Sequence, residues 1–442
     1  MTKMMLQTRD FQRRRQQLMR ALKKNSVAII ASAPTSIRNR DVEYPFRQHS
    51  DFHYLTGFHE PEAVAVLAPG RKEGEYVLFC REFDPEKAIW TGKHAGLEGA
   101  RAEHGAEEAF PIESLHEQLP ALLENRDRVY YPIGLDGELD HAVLTAVNEV
   151  RGRARIGVQA PYEFISLDHV LHEQRLFKTP EELDIMRRAA RVSVKGHLRA
   201  MRSTRPGRFE YEIEAELAHE FALNGMRSLA YPSIVAGGAN ACILHYTQND
   251  AVLKEGDLLL IDAGAECENY ASDITRTFPV NGKFSPHQRQ VYEVVLEAQL
   301  AAIEAVRPGR RWIEPHEAAV KALTEGLVRL GLLEGKVAKL IKDEAYKKFF
   351  MHRTGHWLGM DVHDVGAYRV HRKWRELAPG MVLTVEPGLY IASDCDEVDP
   401  AWRGIGIRIE DDVLVTQDGC EVLTAGLPKS VAEIEAVMAE AE

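Results

Sequence analysis

Cysteine is scarce in this sequence, with five residues among 442. They are Cys80, Cys242, Cys267, Cys395 and Cys420. Their number is odd, they are widely spread, and none stands in C-x-x-C spacing, so the sequence indicates neither a disulfide framework nor a zinc–thiolate site. Reduced thiols are typical of the cytoplasm, where we expect this protein to work.

Long apolar runs and an excess of basic residues are also missing. No apolar run approaches the roughly 18 residues of a membrane span, and no apolar core follows the basic N-terminal stretch, so we expect neither a membrane segment nor a signal peptide. Leu18, Met19 and Leu22 lie at helical spacing there, which favours a docked helix over a transit peptide. With 55 Lys and Arg against 67 Asp and Glu, the chain would repel nucleic acid, which we do not expect as a partner.

A change of pattern near residue 175 indicates two domains. Before it, short apolar runs alternate with helix-like stretches, which favours an α/β domain. The predicted strands lie in SVAIIASAP, EAVAVLAPG, GEYVLFC, RVYYPIG and RIGVQAP, and the predicted helices at residues 112–123 and 139–150. Thr179 is then a candidate N-cap and Pro180 suits the first helical position, so a long helix opens the second domain. We predict domains at residues 1–175 and 176–442.

The second domain contains an internal repeat. RPGR occurs twice, EGDLLLIDAG is echoed by PGMVLTVEPG, and ASDITRTFPV is echoed by IGIRIEDDVLV, all in the same order. The first echo ends an apolar strand in a carboxylate, Asp262 or Glu386, and the second places another carboxylate, Asp273 or Glu410, on the strand that follows. The repeat therefore predicts two related α+β halves, each with helices packed on an antiparallel sheet.

The segment DLLLIDAGAECENYASDITRTF is typical of a β-hairpin. With its turn centred between Cys267 and Glu268, Asp262 and Asp273 lie directly opposite each other, and their Cβ atoms are ~5 Å apart. Two carboxylates cannot stay ionised at that distance without a cation or a shared proton. The alternative, a solvated strand face, fits poorly with the apolar strand before Asp262.

Four carboxylates and one histidine together predict a metal centre. A pseudo-twofold arrangement would bring the carboxylates of both halves to one interface, and His356, in HRTGHWLGMDVHDVG, would add a nitrogen ligand. One imidazole with four carboxylates is the composition of a two-metal site. Oxygen-rich ligation favours Mn(II), with Co(II), Fe(II) or Zn(II) as alternatives. We therefore expect two divalent metal ions bound by Asp262, Asp273, His356, Glu386 and Glu410.

Motifs along nearly the whole chain stand in the order of one known family. RNRDVEYPFRQHSDFHYLTGF lies in the first domain, and LIDAG, SDITRTF, GHWLGMDVHD, TVEPGLY and GIGIRIED follow in the second. Together they resemble aminopeptidase P, a family of Xaa-Pro aminopeptidases among the pita-bread metallopeptidases. The resemblance implies a creatinase-like α/β N-terminal domain and an α+β pita-bread catalytic domain with an internal pseudo-twofold repeat.

The resemblance also implies roles for the five ligands. Asp262 would chelate one metal ion, and Asp273 and Glu410 would bridge both ions. His356 and Glu386 would be terminal ligands of the other ion. Glu386 would in addition take a proton during attack and return it to the leaving nitrogen, as a general acid/base.

Eight further residues receive roles by the same resemblance. His245 and His363 would bind substrate and handle protons, and Arg408 would compensate the anionic cluster. Tyr231 and His352 would line the pocket for the substrate proline. The remaining three, Trp90, Asp41 and Arg372, would reach the site from the N-terminal domain, from a loop or from a neighbouring subunit.

The resemblance implies a metal-dependent exopeptidase that hydrolyses the N-terminal Xaa-Pro bond of peptides. The nearest alternative is a prolidase, which shares the ligand set but takes only Xaa-Pro dipeptides. A metal-free creatinase-type hydrolase would have little use for five ligands, and a methionine aminopeptidase normally lacks so large an N-terminal domain. A non-catalytic pita-bread module that binds peptides or proteins is an alternative of another class. We also expect a homo-oligomer, namely a tetramer built as a dimer of dimers.

Overall fold

The computed structural model describes residues 6–440 and divides into two compact units, Met1–Gln174 and Arg175–Glu442. The α-helices are α1 (Thr8–Ala21), α2 (Ser50–Thr56), α3 (Pro85–Thr91), α4 (Gly96–Ala102), α5 (Leu115–Leu123), α6 (Gly137–Gly152), α7 (Asp168–Leu176), α8 (Pro180–Ser203), α9 (Glu210–Leu223), α10 (Pro286–Ala305), α11 (Glu314–Arg329), α12 (Val337–Lys342) and α13 (Val431–Ala439). Short 3₁₀ helices span Ile112–Ser114, Ala154–Ile156, Gly238–Cys242, Ala345–Lys348 and Pro400–Trp402. Within residues 6–440, no helix combines the length and the apolarity that crossing a bilayer requires.

The strands are short, as is usual in α/β and α+β proteins. They are β1 (Ser26–Ala31), β2 (Ile37–Asn39), β3 (Val42–Glu43), β4 (Val64–Leu67), β5 (Tyr76–Cys80), β6 (Glu108–Pro111), β7 (Arg128–Tyr131), β8 (Glu163–Ser166), β9 (Ile234–Gly237), β10 (Leu258–Asp262), β11 (Glu266–Cys267), β12 (Tyr270–Ala271), β13 (Thr275–Pro279), β14 (Arg369–Val370), β15 (Lys373–Trp374), β16 (Val382–Val385), β17 (Gly388–Ile391), β18 (Ile405–Arg408), β19 (Asp411–Val415) and β20 (Cys420–Val422).

The first unit is built on a six-stranded sheet in the order β6-β5-β4-β1-β7-β8. β4 is antiparallel to its two neighbours and the other pairs are parallel. Apolar residues of α5 and α6, such as Leu119 and Val143, join Ile29 and Val129 of the sheet in one buried core. The predicted α/β arrangement is confirmed, since helices pack on a largely parallel sheet whose strands β4 and β5 are buried along their whole length.

Four of the five predicted strands in the first unit are confirmed as β1, β4, β5 and β7. The prediction for RIGVQAP is wrong, because a 3₁₀ helix, Ala154–Ile156, ends there at Gly157 with φ of 88° and irregular chain follows. The strand begins only at Glu163, after Pro161, whose missing N–H is unsuited to an inner ladder. The edge strand β6 was not predicted, since its four residues carry little apolar pattern.

The second unit repeats one arrangement twice. In the first half α8 packs on α9 and the sheet order is β13-β10-β9; in the second half α10 packs on α11 and the order is β16-β19-β20. Both sheets are antiparallel. The helix start is as predicted, because the Thr179 hydroxyl accepts a hydrogen bond from the Glu182 N–H (3.4 Å) and Pro180 is the first helical residue.

The hairpin that carries the first two carboxylates has a different register from the predicted one. Glu268 and Asn269 form the turn with φ of 48° and 66°, the pair of left-handed residues that a type I′ turn needs. The turn is thus centred one residue later than predicted, and Thr275, not Asp273, lies opposite Asp262. The prediction of directly opposed carboxylates is therefore wrong by two residues.

A fully buried ion pair connects the two halves. Arg276, on β13, donates to the Asp411 carboxylate on β19 at 2.8 Å, and both side chains have no exposed surface. Three further donors reach the same carboxylate: Gln299 (2.7 Å), Thr424 (2.7 Å) and Lys429 (2.8 Å). Burial opposes ionisation, but Arg276 and Lys429 outweigh it and lower the pKa of Asp411.

Removing the Asp411 carboxylate is expected to destabilise the second unit. In Asp411→Ala the Arg276 guanidinium stays buried without its counter-charge, and breaking a buried pair in this way costs about 3–5 kcal/mol. Urea denaturation should therefore show a lower free energy of unfolding. As a control, Glu293→Ala removes the partner of the exposed Arg289 and should leave the unfolding curve in place. If the unfolding curve of Asp411→Ala coincided with that of Glu293→Ala, the prediction would be contradicted.

Candidate metal centre

A cavity of about 580 Å³ in the second unit collects most of the predicted site residues. Its lining includes Tyr231, His245, Asp262, Asp273, His352, His356, His363, Glu386, Arg408 and Glu410. These residues come from both halves and from sequence positions far apart. The pseudo-twofold repeat therefore brings together the carboxylates that the sequence pattern singled out.

The ends of buried strands position the carboxylates. Asp262 is the last residue of β10, Glu386 directly follows β16, and Glu410 directly precedes β19. Asp273 lies two residues before β13, where Gly264 permits a close approach of the chain, since a Cβ there would stand 1.6 Å from the Ser272 carbonyl oxygen. The apolar strands fold into the core, and the charged group at each end is left facing the cavity.

Asp262 and Asp273 are connected by one hydroxyl despite the shifted register. Tyr231 donates from its hydroxyl toward Asp262 Oδ1 at 2.7 Å and makes a short contact with Asp273 Oδ1. Arg408 binds the other Asp262 oxygen at 2.6 Å. The carboxylates are thus held side by side, and their orientation is fixed by neutral and cationic donors.

His356 presents a free ring nitrogen to the carboxylates. Its Nδ1 is 2.9 Å from the Trp357 carbonyl oxygen, which requires a proton on Nδ1, so that the neutral ring has its lone pair on Nε2. Nε2 lies 3.5 Å from Asp273 Oδ2 and 3.6 Å from Glu386 Oε1. This is the tautomer in which a histidine ligates a metal through Nε2.

The segment around His356 is joined to strand β16. The Thr384 N–H donates to the His356 carbonyl (2.9 Å) and the Glu386 N–H donates to the Thr354 carbonyl (2.8 Å). At Gly355 a Cβ would stand 2.0 Å from the Thr384 carbonyl oxygen, so only glycine allows this approach. His356 and Glu386 are therefore fixed relative to each other by backbone hydrogen bonds.

Thr275 of the first half orients Glu410 of the second half. The Thr275 hydroxyl donates to Glu410 Oε2 at 2.7 Å and accepts from Arg408 Nε at 3.1 Å. Arg408 also donates to the Tyr390 hydroxyl at 3.0 Å, and that hydroxyl lies 2.9 Å from His352 Nε2. A continuous hydrogen-bonded chain thus runs from Glu410 to His352 along one wall of the cavity.

Burial and crowding make it costly to ionise the carboxylates together. Burial, followed by repulsion from Asp273, raises the pKa of Glu410 well above its usual range. Burial raises the pKa of Glu386 to about 7 and, against the attraction of Arg408, also raises the pKa of Asp262. Further positive charge beside these groups would favour their ionised forms.

The donor set fits divalent cations at this position. Asp273, His356 and Glu410 each offer a ligand atom within 4.8 Å of the other two, and Asp262 and Glu386 flank them. Burial opposes a proton on His356, yet Asp273 and Glu386 raise its pKa to about 9, so the region around Nε2 attracts positive charge. Oxygen-rich donors with one imidazole form a candidate dinuclear metal site.

Three of the predicted site residues lie outside the cavity lining. Arg372 occupies the turn between β14 and β15, with φ of 65°, and is exposed. In the first unit, Asp41 lies in the turn between β2 and β3, and Trp90, on α3, is 87% exposed. Their roles at the site stay predictions.

Sequence reasoning missed several residues that orient the site. Asp412 accepts from the Asp273 N–H (3.1 Å) and from the Ser272 hydroxyl (2.8 Å). Tyr390 and Thr275 connect Arg408 to its neighbours, as described above. Asp412 could have been suspected from its place in IEDD, but nothing in the sequence shows that these side chains point inward.

The comparisons with known proteins agree with this geometry. Residues 184–417 match the model of metallopeptidase family M24, and residues 11–130 match the aminopeptidase P N-terminal domain. The chain belongs to metallopeptidase family M24. The predicted fold is thereby confirmed: an N-terminal domain of the aminopeptidase P type precedes a pita-bread metallopeptidase domain.

Relatives within family M24 match over nearly the whole chain. The Xaa-Pro aminopeptidase of Escherichia coli (strain K12) is 48% identical over 433 residues, which cover 98% of each chain. A solved aminopeptidase of Pseudomonas aeruginosa has a TM-score of 0.97 at 59% identity and covers 99% of each chain. A zinc-substituted E. coli aminopeptidase P in complex with product has a TM-score of 0.96 at 47% identity, again over 99% of each chain.

Proposed function

We propose that this protein is an Xaa-Pro aminopeptidase, which removes the N-terminal residue from peptides whose second residue is proline. The observation that carries the proposal is the cluster of four carboxylates and His356 Nε2 around one cavity, in a chain whose relatives bear the name of that activity. Two divalent metal ions, Mn(II) by the oxygen-rich donor set, are the proposed cofactors. We place the enzyme in the cytoplasm, because its five cysteines are odd in number, widely spread and without C-x-x-C spacing, which indicates no disulfide framework.

The proposed ligands divide between the two ions. Asp262 would hold one ion, His356 and Glu386 would hold the other, and Asp273 and Glu410 would bridge them. When bound, the ions supply Lewis-acid polarisation of the scissile carbonyl and a water whose pKa is lowered toward neutrality. The remaining steps depend on side chains of the protein itself.

Glu386 is the proposed proton carrier. Its carboxylate lies in the cavity beside the other proposed ligands, where a carboxyl group can both accept a proton and donate it. The leaving proline nitrogen needs that proton, because a neutral amine is a far better leaving group than the anion formed by its deprotonation. Arg408 holds Asp262 in place and balances the negative charge of the cluster.

Selectivity for proline follows from the chemistry of the bond. The Xaa-Pro amide has no N–H, so a pocket shaped for the ring can select it without a hydrogen-bond acceptor. We assign the ring pocket to Tyr231 and His352, and substrate binding with proton handling to His245 and His363. All four line the cavity.

Cleavage of a tripeptide distinguishes the proposal from a prolidase. We expect the Mn(II)-loaded protein to hydrolyse Xaa-Pro-Xaa tripeptides to a free amino acid and a Pro-Xaa dipeptide, since nothing in the proposal requires the carboxylate of a dipeptide. Release of the N-terminal amino acid from both peptide lengths is measured by chromatography. Hydrolysis of the dipeptide alone would support a prolidase, and hydrolysis of neither would support a non-catalytic module.

We further propose a homotetramer in which the first unit presents an interface. Helix α3 has no buried residue, and its Ile89 and Trp90 are 83% and 87% exposed. Apolar side chains with so much exposed area are typical of association surfaces. Trp90, Asp41 and Arg372 would then complete the substrate path of a neighbouring subunit.

Substitutions on α3 test this assembly. Ile89→Ala and Trp90→Ala should lower the mass measured by light scattering, whereas Ile156→Ala, also at an exposed site (79%), should not. Asp41→Ala should raise KM or lower kcat for longer peptides with unchanged metal content. A wild-type monomer with full activity would refute the sharing of residues between subunits.

A further inference from the structure

A second cavity, of about 480 Å³, shares part of its wall with the metal centre. Arg353 and Gly355 line both cavities. The rest of the lining comes from the start of α11, the β14–β15 hairpin and strand β16. Of the further lining residues, Thr354 and Thr384 support the metal centre through backbone hydrogen bonds, and the others have no part in the proposed function.

Aromatic rings form the walls of this second cavity. Trp312 and Tyr368 have ring centroids 4.7 Å apart, and both pack on the fully buried Trp357, at 4.1 Å and 5.5 Å. A third ring, Trp374, lies in β15 with the Arg369 guanidinium 4.1 Å from its centroid. The walls therefore offer rigid aromatic faces, which suit a flat apolar group.

Two exposed arginines are the charged side chains of the lining. Arg353 and Arg369 both line it, while no Asp or Glu does. In the described part of the chain, residues 6–440, no carboxylate pairs with either guanidinium. Arginine is suited to planar recognition of a carboxylate, so these two groups are complementary to an anion.

We propose that this cavity binds a small aromatic carboxylate. The ring would lie among Trp312, Tyr368 and Trp374, and the carboxylate would bind Arg353 and Arg369. Two kinds of molecule carry an aromatic ring with a carboxylate: a free aromatic acid, and a peptide whose C-terminal residue is aromatic.

Occupancy would also affect the metal centre. Arg353 belongs to both walls, and the neighbouring Thr354 carbonyl accepts the Glu386 N–H at 2.8 Å. A ligand that holds Arg353 therefore restrains the segment that is tied to Glu386. Binding itself is measured without a substrate, so this inference does not depend on the proposed function.

Calorimetric titration of the metal-loaded protein with indole-3-acetate tests the proposal. We expect saturable binding that is weakened roughly tenfold by Arg369→Gln, since a charge-assisted hydrogen bond is lost, and weakened also by Trp374→Leu. Lys373→Gln changes an exposed residue next to Trp374 on β15. This variant should bind indole-3-acetate as the wild type does. Indole-3-acetamide, which lacks the charge, should bind roughly tenfold more weakly.

Competition distinguishes the two sources of the ligand. If Ala-Ala-Phe displaces indole-3-acetate and its C-terminal amide does not, peptide C-termini occupy the cavity; if neither does, the ligand is a free acid. Absence of binding at millimolar concentration would overturn the proposal. So would binding that Arg369→Gln and Trp374→Leu leave unchanged, because the probe would then lie elsewhere.

Discussion

Replacement of Glu386 by glutamine is expected to lower kcat by a factor of about 10²–10⁴, the usual contribution of a general acid/base. Glutamine keeps the shape of the side chain and can still offer an oxygen ligand, but it cannot carry a proton to the leaving nitrogen. KM should change much less than kcat, because the lost interaction acts in the transition state. Steady-state kinetics on a tripeptide substrate measure both constants.

Metal content decides how the Glu386→Gln result is interpreted. Elemental analysis of the same sample should find at least one ion per chain, so that the loss of turnover is not a loss of cofactor. Glu376→Gln, an exposed residue of the same half, is the matched control and should keep wild-type turnover. Normal kcat in Glu386→Gln would remove this residue from the proton-transfer role.

Withdrawal of the metal ions is expected to abolish hydrolysis, and added Mn(II) to restore it. The proposed ions would lower the pKa of a water and polarise the carbonyl, and no side chain of the cavity replaces both contributions. Exhaustive chelation followed by a peptide assay with and without Mn(II) measures this dependence. Full activity in protein shown by elemental analysis to be metal-free would overturn the two-metal interpretation in favour of a creatinase-like mechanism.

Substitution of the bridging carboxylates should reproduce the effect of chelation. Asp273→Asn or Glu410→Gln is expected to lower the metal stoichiometry, since one carboxylate serves both ions. Asp418→Asn changes an exposed aspartate in the same half as Glu410. This control variant should keep the full metal stoichiometry. Two ions per chain in both bridging variants would show that other groups hold the metals.

Patterns with a strong periodicity were sufficient to predict the main features of the fold. The repeated strand–carboxylate–glycine pattern indicated two halves, and the structure has Asp262 and Glu386 at corresponding strand ends. The start of α8 was also predictable, because Thr179 and Pro180 act through local hydrogen bonding and a fixed φ. Such signals are contained in a few neighbouring residues.

Features that depend on distant contacts could not be predicted in the same way. The hairpin register depends on left-handed conformations at Glu268 and Asn269, and Glu268 carries no turn signal. Nothing in the sequence shows that the hydroxyl of Tyr231, a residue assigned to the proline pocket, contacts two carboxylates. Asp412 supports Asp273 across 139 residues of sequence. Contacts between residues so far apart in the sequence are determined by packing rather than by the local sequence pattern.

The spread of the candidate ligands along the chain affects how the protein is made. Asp262 and Glu410 are the first and last of them, and Arg276 and Asp411 fix the two halves to each other from similarly distant positions. A chain leaving the ribosome can fold its first unit early, since domains fold as units from the N-terminus. The metal centre can form only after Glu410 has emerged. The complete set of candidate ligands is therefore available to an ion only when nearly the whole chain has been made.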